Sequence, residues 1–213
     1  MEIRDETAGR DRSPRYSSPL RRQRAADTRG RIADAARELF AINGFTGTTV
    51  AGIASRAGVS VQTVYATFGT KGAIVGALTT RFEADADAAG WRAQIERSTD
   101  PVEIVTMFAQ WTRALFSTSK ATIAAVRDAA ADPAIAELRE VGDRHRRRAL
   151  QGLIGRIAGY GALRAELTEQ KAVDQAWMFT GIELYLAATD GCGWSDVDYE
   201  YWLSDVLQRQ LLK

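Results

Sequence analysis

The sequence predicts an all-α protein of about nine helices. No segment alternates apolar and polar residues with the period of two that strands require, and apolar residues recur instead at helical spacing. The 213 residues contain only four prolines, so few positions interrupt a helix. Apolar residues make up 46% of the chain, which is enough to form a core.

The first 27 residues differ in composition from the rest. They are rich in arginine, serine and proline and poor in apolar side chains, so we expect a disordered basic arm over residues 1–27. Residues 1–75 hold 12 Arg and Lys against seven Asp and Glu, although the whole chain carries a net charge of only +1. This balance predicts an anionic partner for the N-terminal third. The arm could contact phosphates or a minor groove, or it could be a solvated tail.

The first predicted helix spans residues 29–43. Apolar side chains fall on one of its faces, from Ile32 to Phe40. Asn43-Gly44 is a C-terminal stop, because glycine readily takes the left-handed conformation that ends helices.

Two short helices, 50–57 and 61–68, follow. Thr49 and Ser60 can cap their N-termini, and Gly58 permits the left-handed backbone of a tight turn. Two helices joined by a short glycine turn form a helix-turn-helix. An ordinary helix corner within an all-α core is the alternative interpretation of the same pattern.

The second of these helices has a small, polar outer face. No Asp or Glu occurs in residues 58–72, so nothing there repels phosphate, and such a face suits a DNA major groove. Gln62 and Thr63 are expected to contact bases, and Tyr65 and Lys71 to contact phosphates. The predicted DNA-contacting residues are Thr49, Ser60, Val61, Gln62, Thr63, Tyr65, Thr67, Thr70 and Lys71.

The run TTVAGIASRAGVSVQTVYATFGTKGAIV resembles the DNA-binding region of the TetR family of transcriptional regulators, and the preceding AARELFAINGF is similar to that family's first helix. The resemblance implies a helix-turn-helix DNA-binding domain over 28–75 and a ligand-sensing and dimerisation domain over 76–213. It also implies a cytoplasmic, ligand-released repressor that binds a palindromic operator in double-stranded DNA as a homodimer. The alternative is a DNA-binding regulator without a small-molecule ligand, either an activator or one controlled by another protein.

Later helices are marked by their start signals. An aspartate precedes a proline at Asp100-Pro101 and at Asp132-Pro133, and Ser195 is followed by acids in a first turn. The remaining predicted helices are 71–90, 101–118, 120–130, 133–158, 168–190 and 196–212.

Helices 101–118 and 168–190 are apolar nearly all round, so by default their aromatic residues form core. The family resemblance implies in addition a cavity for a small apolar or aromatic effector between such helices. Ligand contact at the far end of helix 71–90 could tilt that helix and so move the DNA-binding domain. The candidate lining residues are Phe82, Met107, Phe108, Trp111, Phe116, Trp177 and Phe179, with His145 and Tyr185 as polar contacts.

The family pairs its last two long helices into a four-helix bundle, which implies that 168–190 and 196–212 form the dimer interface. A glycine would allow close approach of two helices, and apolar residues would supply the buried surface. The candidate interface residues are Gly181, Tyr199, Leu203, Val206 and Leu207.

Other classes of protein are disfavoured by composition. One histidine and one cysteine make a transition-metal site unexpected and an internal disulfide impossible. We expect no cofactor and no enzymatic activity, because neither a nucleophile–base–orienter set nor a glycine-rich cofactor loop occurs. No apolar stretch approaches the roughly 20 residues of a membrane span, so no membrane association is expected.

Overall fold

The computed structural model describes residues 19–85, 87–129 and 133–213, and over these the chain forms ten α-helices and no β-strand. The all-α prediction is confirmed, with a helix count close to nine. The helices are α1 (Pro19–Gly47), α2 (Val50–Ala57), α3 (Val61–Phe68), α4 (Lys71–Asp85), α5 (Ala88–Arg97), α6 (Pro101–Asp128), α7 (Pro133–Gly159), α8 (Glu169–Phe179), α9 (Ile182–Leu186) and α10 (Asp196–Leu211).

Helices α1–α4 enclose one apolar core. Ile32, Ile53 and Ile74, from α1, α2 and α4, are completely buried in it, and Val64 supplies the inward face of α3. Two later helices contribute to the same core. Ala125 and Ala129 lie at the C-terminal end of α6, and Ile135 lies in the first turn of α7. The N-terminal helices are therefore packed directly on α6 and α7.

A second apolar core is formed by the middle of α6, the C-terminal half of α7, and α8–α10. Ile104, Ile154 and Leu203 are completely buried there. Aromatic rings fill much of the space, with Tyr185 and Tyr199 meeting edge to face at 5.1 Å between ring centroids. No helix among the described residues combines the length and the apolar character that a membrane span requires.

The first helix begins earlier than predicted. Residues 19–27 of the expected arm are helical and exposed, and residues 1–18 of the arm lie outside the described part of the chain. Arg, Gln, Leu and Ala dominate residues 20–26, and their high helix propensity extends α1 without burial. The predicted stop is confirmed at Gly44, whose φ of 66° and ψ of 177° kink the helix.

The predicted helix 71–90 is two helices. Helix α4 ends at Asp85, and α5 begins at Ala88 with the Asp87 carboxylate accepting a hydrogen bond from the Gly90 amide at 3.2 Å. In contrast, the predicted break between 118 and 120 does not exist. The Thr118 hydroxyl donates to the Ala114 carbonyl at 2.8 Å, so this polar residue is satisfied inside the continuous α6.

The predicted helix 168–190 is interrupted at Gly181, between α8 and α9, and a π-helical turn at Ala187–Gly191 follows α9. Two predicted start signals are confirmed as caps. The Asp100 carboxylate accepts from the Val102 amide at 2.9 Å, and Ser195 forms a capping box with Asp198.

Gly58 provides a test of the turn between α2 and α3. Its φ is +64°, which an L side chain adopts at a cost, so Gly58→Ala is expected to lower the free energy of unfolding by about 1–2 kcal/mol. Gly142→Ala is the matched control, because Gly142 lies in the interior of α7 with open space around it, and there alanine should add about 0.5–1 kcal/mol. Urea denaturation of both variants measures the difference. Effects of equal sign would contradict this account.

Candidate nucleic-acid interface and effector cavity

Helices α2 and α3 form a helix-turn-helix held by side-chain caps at both N-termini. The Thr49 hydroxyl accepts a hydrogen bond from the Gly52 amide, and the Ser60 hydroxyl accepts one from the Thr63 amide, both at 3.0 Å. Gly58 ends α2 in the left-handed conformation. The capped turn fixes α3 relative to α2.

The outer face of α3 projects into solvent. Val61 and Tyr65 are 40% and 50% exposed, Gln62 and Ala66 are exposed beside them, and Val64 anchors the opposite face in the core. Neither Gln62 nor Tyr65 makes a side-chain hydrogen bond within the described part of the chain. Both can therefore offer their polar atoms to DNA at no internal cost.

The hydroxyl groups predicted to contact DNA are partly used within the domain. Thr63 and Ser60 share a hydrogen bond at 2.8 Å, and Thr67 donates to the Thr63 carbonyl at 2.7 Å. The Thr70 hydroxyl accepts from the Ala73 amide at 3.0 Å and caps α4. These threonines thus support the geometry of α3 and α4, which leaves Gln62 as the freest polar group for base contact.

Lys71 occupies a position that the sequence did not predict. Its ammonium group donates to the carbonyl oxygens of Phe45 and Thr48, at 2.7 and 2.8 Å, and lies 4.1 Å from the centroid of the Phe45 ring. The side chain therefore connects the start of α4 to the segment between α1 and α2. At least two of the three N–H donors of this ammonium group are thus used within the protein, which disfavours the predicted phosphate contact.

The N-terminal part of α1 lies beside α3. Arg29 donates to the Thr67 carbonyl at 3.0 Å, and its guanidinium group stands 4.3 Å from the centroid of the Phe68 ring. An open groove between the two helices is lined by Arg24 and Arg29 on one side and by Ala66 and Thr67 on the other. Positive charge thus flanks the exposed face of α3, as binding to phosphates requires.

A cavity of about 370 Å³ lies between α5, α6 and α7. This volume is within the range of small-molecule sites. Phe108 and Trp111 of α6, whose ring centroids are 5.6 Å apart, form part of its wall. The residues that line it are Ala88, Trp91, Arg92, Ile95, Glu96, Phe108, Trp111, Arg148, Ala149, Gly152, Leu153 and Arg156.

Residues 32–78 match the family model described as bacterial regulatory proteins of the tetR family. The matched span is the domain formed by α1–α4, with the helix-turn-helix at its centre. This domain is a TetR-family DNA-binding domain. Comparison with curated proteins gives no match.

Solved structures of TetR-like fold resemble the chain over most of its length. A putative transcriptional regulator from Saccharomonospora viridis, in complex with choline, has a TM-score of 0.73 at 18% identity and covers 88% of this chain and 99% of its own. FadR from Bacillus subtilis, in complex with stearoyl-CoA, has a TM-score of 0.70 at 17% identity, covering 85% and 98%. The ketosteroid regulator KstR2 of Mycobacterium tuberculosis has a TM-score of 0.63 at 19% identity, covering 87% and 95%.

Of the nine candidate effector contacts, the structure brings Phe108 and Trp111 together at this cavity. His145 is exposed on α7 and does not line the cavity, to which α7 contributes Arg148, Ala149 and Gly152 among others. The side chain of Phe82 lies outside the described residues.

The other aromatic candidates lie in or against the C-terminal core. Phe116 is buried against the Tyr185 ring, with centroids 5.5 Å apart, and Phe179 packs against the same core. Met107, the one candidate that is not aromatic among these, is half-buried on α6. The Tyr185 hydroxyl donates to the Asp196 carboxylate at 2.7 Å. Two causes raise the pKa of Tyr185: first its burial, and then this carboxylate. Tyr185 thus has a partner within the protein.

Trp177 is covered by arginines of α7. The guanidinium groups of Arg146 and Arg147 stand 4.0 and 4.9 Å from its ring centroid, and Arg146 also donates to the Trp177 carbonyl. Burial lowers the pKa of Arg146, an effect that the Asp143 and Glu183 carboxylates oppose. The Trp177 ring therefore packs against cations and does not contribute to the cavity.

Sequence reasoning missed one wall of the cavity. Helix α5, which carries Trp91 and Ile95, was read as the end of a longer helix and a loop. Neither Arg148 nor Arg156 was among the candidate residues. The spacing of Arg148, Gly152 and Arg156, at i, i+4 and i+8, places them on one side of α7 and was the available signal.

The residues proposed for a dimer interface are corrected by their burial. Tyr199, Leu203 and Leu207 are at most 1% exposed in the protomer, because α10 turns this face onto α6, so a second copy could not reach them. Gly181 is also buried, and a Cβ there would stand 2.9 Å from the Glu183 carboxylate. Half-buried Val206 is the one candidate with accessible surface.

Proposed function

We propose that this protein is a ligand-released repressor that binds a palindromic operator as a homodimer. The observation that carries the proposal is the exposed, acid-free face of α3, presented by a capped helix-turn-helix with Gln62 and Tyr65 uncommitted. A helix with such a face enters the major groove, with side chains near its N-terminus against base edges.

A dimer is supported by apolar surface near the C-terminus. Met178 of α8 is 60% exposed, and Val197 and Tyr201, one turn apart on α10, are 54% and 71% exposed. Large apolar side chains exposed together are typical of an interaction surface. A dimer that binds two half-sites must hold its two α3 helices about 34–36 Å apart, or a multiple of that.

Helices α6 and α7 could transmit a ligand-induced shift from the cavity to the DNA-binding domain, in addition to the tilt of α4 predicted from the sequence. Helix α6 contributes Trp111 to the cavity and Ala125 to the N-terminal core. These two residues are 14 positions apart, which corresponds to about 21 Å along the helix axis. Helix α7 contributes Arg148 to the cavity and Ile135 to the same N-terminal core. A ligand that shifts either helix would shift the platform on which α1–α4 rest.

Release of DNA requires that the ligand bind the two conformations with different affinity. The complexes of the similar proteins with choline and stearoyl-CoA support a small-molecule site in this fold. Expulsion from the operator then follows if the ligand favours a spacing of the two α3 helices that does not match successive major grooves.

Selection from a library of random DNA duplexes tests the proposal. The protein is expected to enrich a palindrome, and Gln62→Ala should relax preference at one or two positions of each half-site, by about 1–3 kcal/mol per lost base contact. Gln151→Ala, at an exposed position of α7, is the control and should leave the selected sequence unchanged.

Enrichment of no sequence, or the same palindrome with Gln62→Ala, would contradict the assigned recognition face. A palindrome whose binding no small molecule weakens would instead favour a regulator controlled without a ligand.

A further inference from the structure

Residues 19–27 form an exposed extension at the start of α1, the α1 extension. Every residue in it is exposed, and the buried residues of α1 begin only at Ile32. The extension carries Arg21, Arg22 and Arg24, and none of these side chains forms a hydrogen bond or an ion pair with the described part of the chain. Three uncommitted cations on one exposed helix create a local positive potential that attracts an anionic partner.

These arginines lie on the side of the extension that faces α3. Side chains four residues apart in a helix share a face, so Arg21 lies on the face of Ala25. Arg22 lies on the face of Ala26 for the same reason. Both alanines line the groove between α1 and α3, and Arg24 lines it directly. The cations are therefore gathered on the groove side of the helix.

The one acidic residue of the α1 extension lies on its opposite side. Asp27 is two positions after Ala25, which corresponds to about 200° around the helix. Its carboxylate accepts a hydrogen bond from the Gln23 amide at 2.9 Å, one turn earlier on that same side. The groove side of the extension is therefore free of acids, like the outer face of α3.

The groove between α1 and α3 opens beside the recognition face of α3. Ala66 forms part of its wall and is exposed one turn after Gln62, the freest polar group for base contact. Arg29, which follows the extension, donates to the Thr67 carbonyl at 3.0 Å and ties α1 to α3. A duplex that receives Gln62 in its major groove would therefore pass the mouth of this groove.

The length of the α1 extension suits a run of phosphates. Arg21 and Arg29 are eight positions apart, which corresponds to about 12 Å along the helix axis. Each strand of a duplex carries one phosphate per roughly 3.4 Å of its axis, so about three phosphates occupy that length. Guanidinium groups match phosphate oxygens well, because their planar set of donors can bind two oxygens at once.

We propose that the α1 extension is a second DNA-contacting element, which holds the phosphate backbone beside the major groove that receives α3. The inference rests on the proposed DNA-binding regulator and assigns to it contacts outside the helix-turn-helix. It also corrects the expectation of a disordered arm at residues 19–27. A helix fixes the spacing and direction of the arginines before DNA arrives, so less conformational entropy is lost on binding.

Salt-dependent titration of the full chain with two duplexes of equal length, the selected operator and a random sequence, tests the inference. The triple variant Arg21→Gln, Arg22→Gln and Arg24→Gln should lower the slope of log affinity against log salt by about two to three per bound protomer. Affinity at about 100 mM salt should fall about 50-fold or more. The loss should be similar on both duplexes, because phosphate contacts carry no sequence information.

The matched control is the triple variant Arg97→Gln, Arg144→Gln and Arg209→Gln. These arginines are exposed on α5, α7 and α10, so the control removes the same charge outside α1–α4. Its salt slope should stay within about one of the original value, because none of its positions lies on the face that α1 and α3 share.

Moving one arginine around the helix separates a contact from the overall charge. Arg21→Gln combined with Gln23→Arg keeps the net charge and the helix propensity, but transfers a guanidinium group to the side of Asp27. The double variant should bind both duplexes as weakly as Arg21→Gln alone, about fivefold or more below the original protein at about 100 mM salt.

The outcomes separate this inference from the proposed function. An unchanged slope in the extension triple variant, with the operator still bound, would overturn the inference and leave the proposed repressor intact. Affinity restored by the relocated arginine would also overturn it, because overall charge would then suffice. If the original protein shows no sequence preference, while the extension triple variant lowers the slope on the random duplex, the proposed function fails and the phosphate contact is supported.

Discussion

Lys71→Ala is expected to lower the free energy of unfolding by about 2–4 kcal/mol. The substitution removes two charge-assisted hydrogen bonds, to the carbonyl oxygens of Phe45 and Thr48, and the contact of the ammonium group with the Phe45 ring. The Thr48 carbonyl oxygen would then need water in a partly enclosed position, whereas the Phe45 carbonyl oxygen would keep the hydrogen bond from the Thr48 amide at 3.3 Å. Thr48, which is buried, would lose support on the side facing α4.

The measurement is urea denaturation of Lys71→Ala beside Lys171→Ala, which truncates an exposed lysine of α8. The control should change stability by less than about 0.5 kcal/mol. Operator affinity of Lys71→Ala should fall for all sequences alike, because the segment that positions α2 and α3 is loosened. Unchanged stability with a salt slope lowered by about one would instead return Lys71 to the phosphate contact first predicted for it.

The double variant Met178→Arg with Tyr201→Arg is expected to be monomeric and to lose operator affinity about 100-fold or more. Both positions are exposed in the protomer, so arginine there leaves the fold intact. In a dimer formed through this face, like charges would be brought together and desolvated, which costs several kcal/mol. A monomer retains one α3 helix and thus half of the base contacts.

Sedimentation velocity measures the oligomeric state, and DNA titration of the same sample measures the affinity. Gln151→Arg is the control, because it places one of the same arginine substitutions at an exposed site on α7, away from this surface. If the double variant sediments as a dimer, the interface lies elsewhere on the molecule. Half-buried Val206 of α10 would then be the next position to replace.

The helix-turn-helix could be predicted from sequence because its signals are local. Thr49, Gly58 and Ser60 act through hydrogen bonds and dihedral angles within a few residues, and the structure confirms the bounds of α2 and α3 that they predict. The buried and exposed faces of α3 were also predictable, because they follow from the helical spacing of Val64 and Phe68 within eight residues. The side-chain contacts of Lys71 were not predictable, since its acceptors lie 23 and 26 residues earlier in the chain.

The cavity and the dimer surface were predicted less well, because both depend on which face of a long helix meets which neighbour. Periodicity placed Tyr199 and Leu203 on an apolar face of α10 but could not distinguish a face buried on α6 from one buried on a second copy. Similarly, the place of Arg148 in the cavity wall depends on α5 and α6, which supply the other walls. Composition alone gave no reason to separate α5 from α4.

The sharing of one apolar core by α1–α4 and the ends of α6 and α7 has a consequence for how the molecule unfolds. The domain boundary predicted near residue 76 does not separate two packed cores, because Ala125, Ala129 and Ile135 are buried with α1–α4. Loss of the N-terminal helices would expose those three residues to water, and loss of α6 would open the N-terminal core. Cooperative unfolding of both parts therefore follows from these shared contacts.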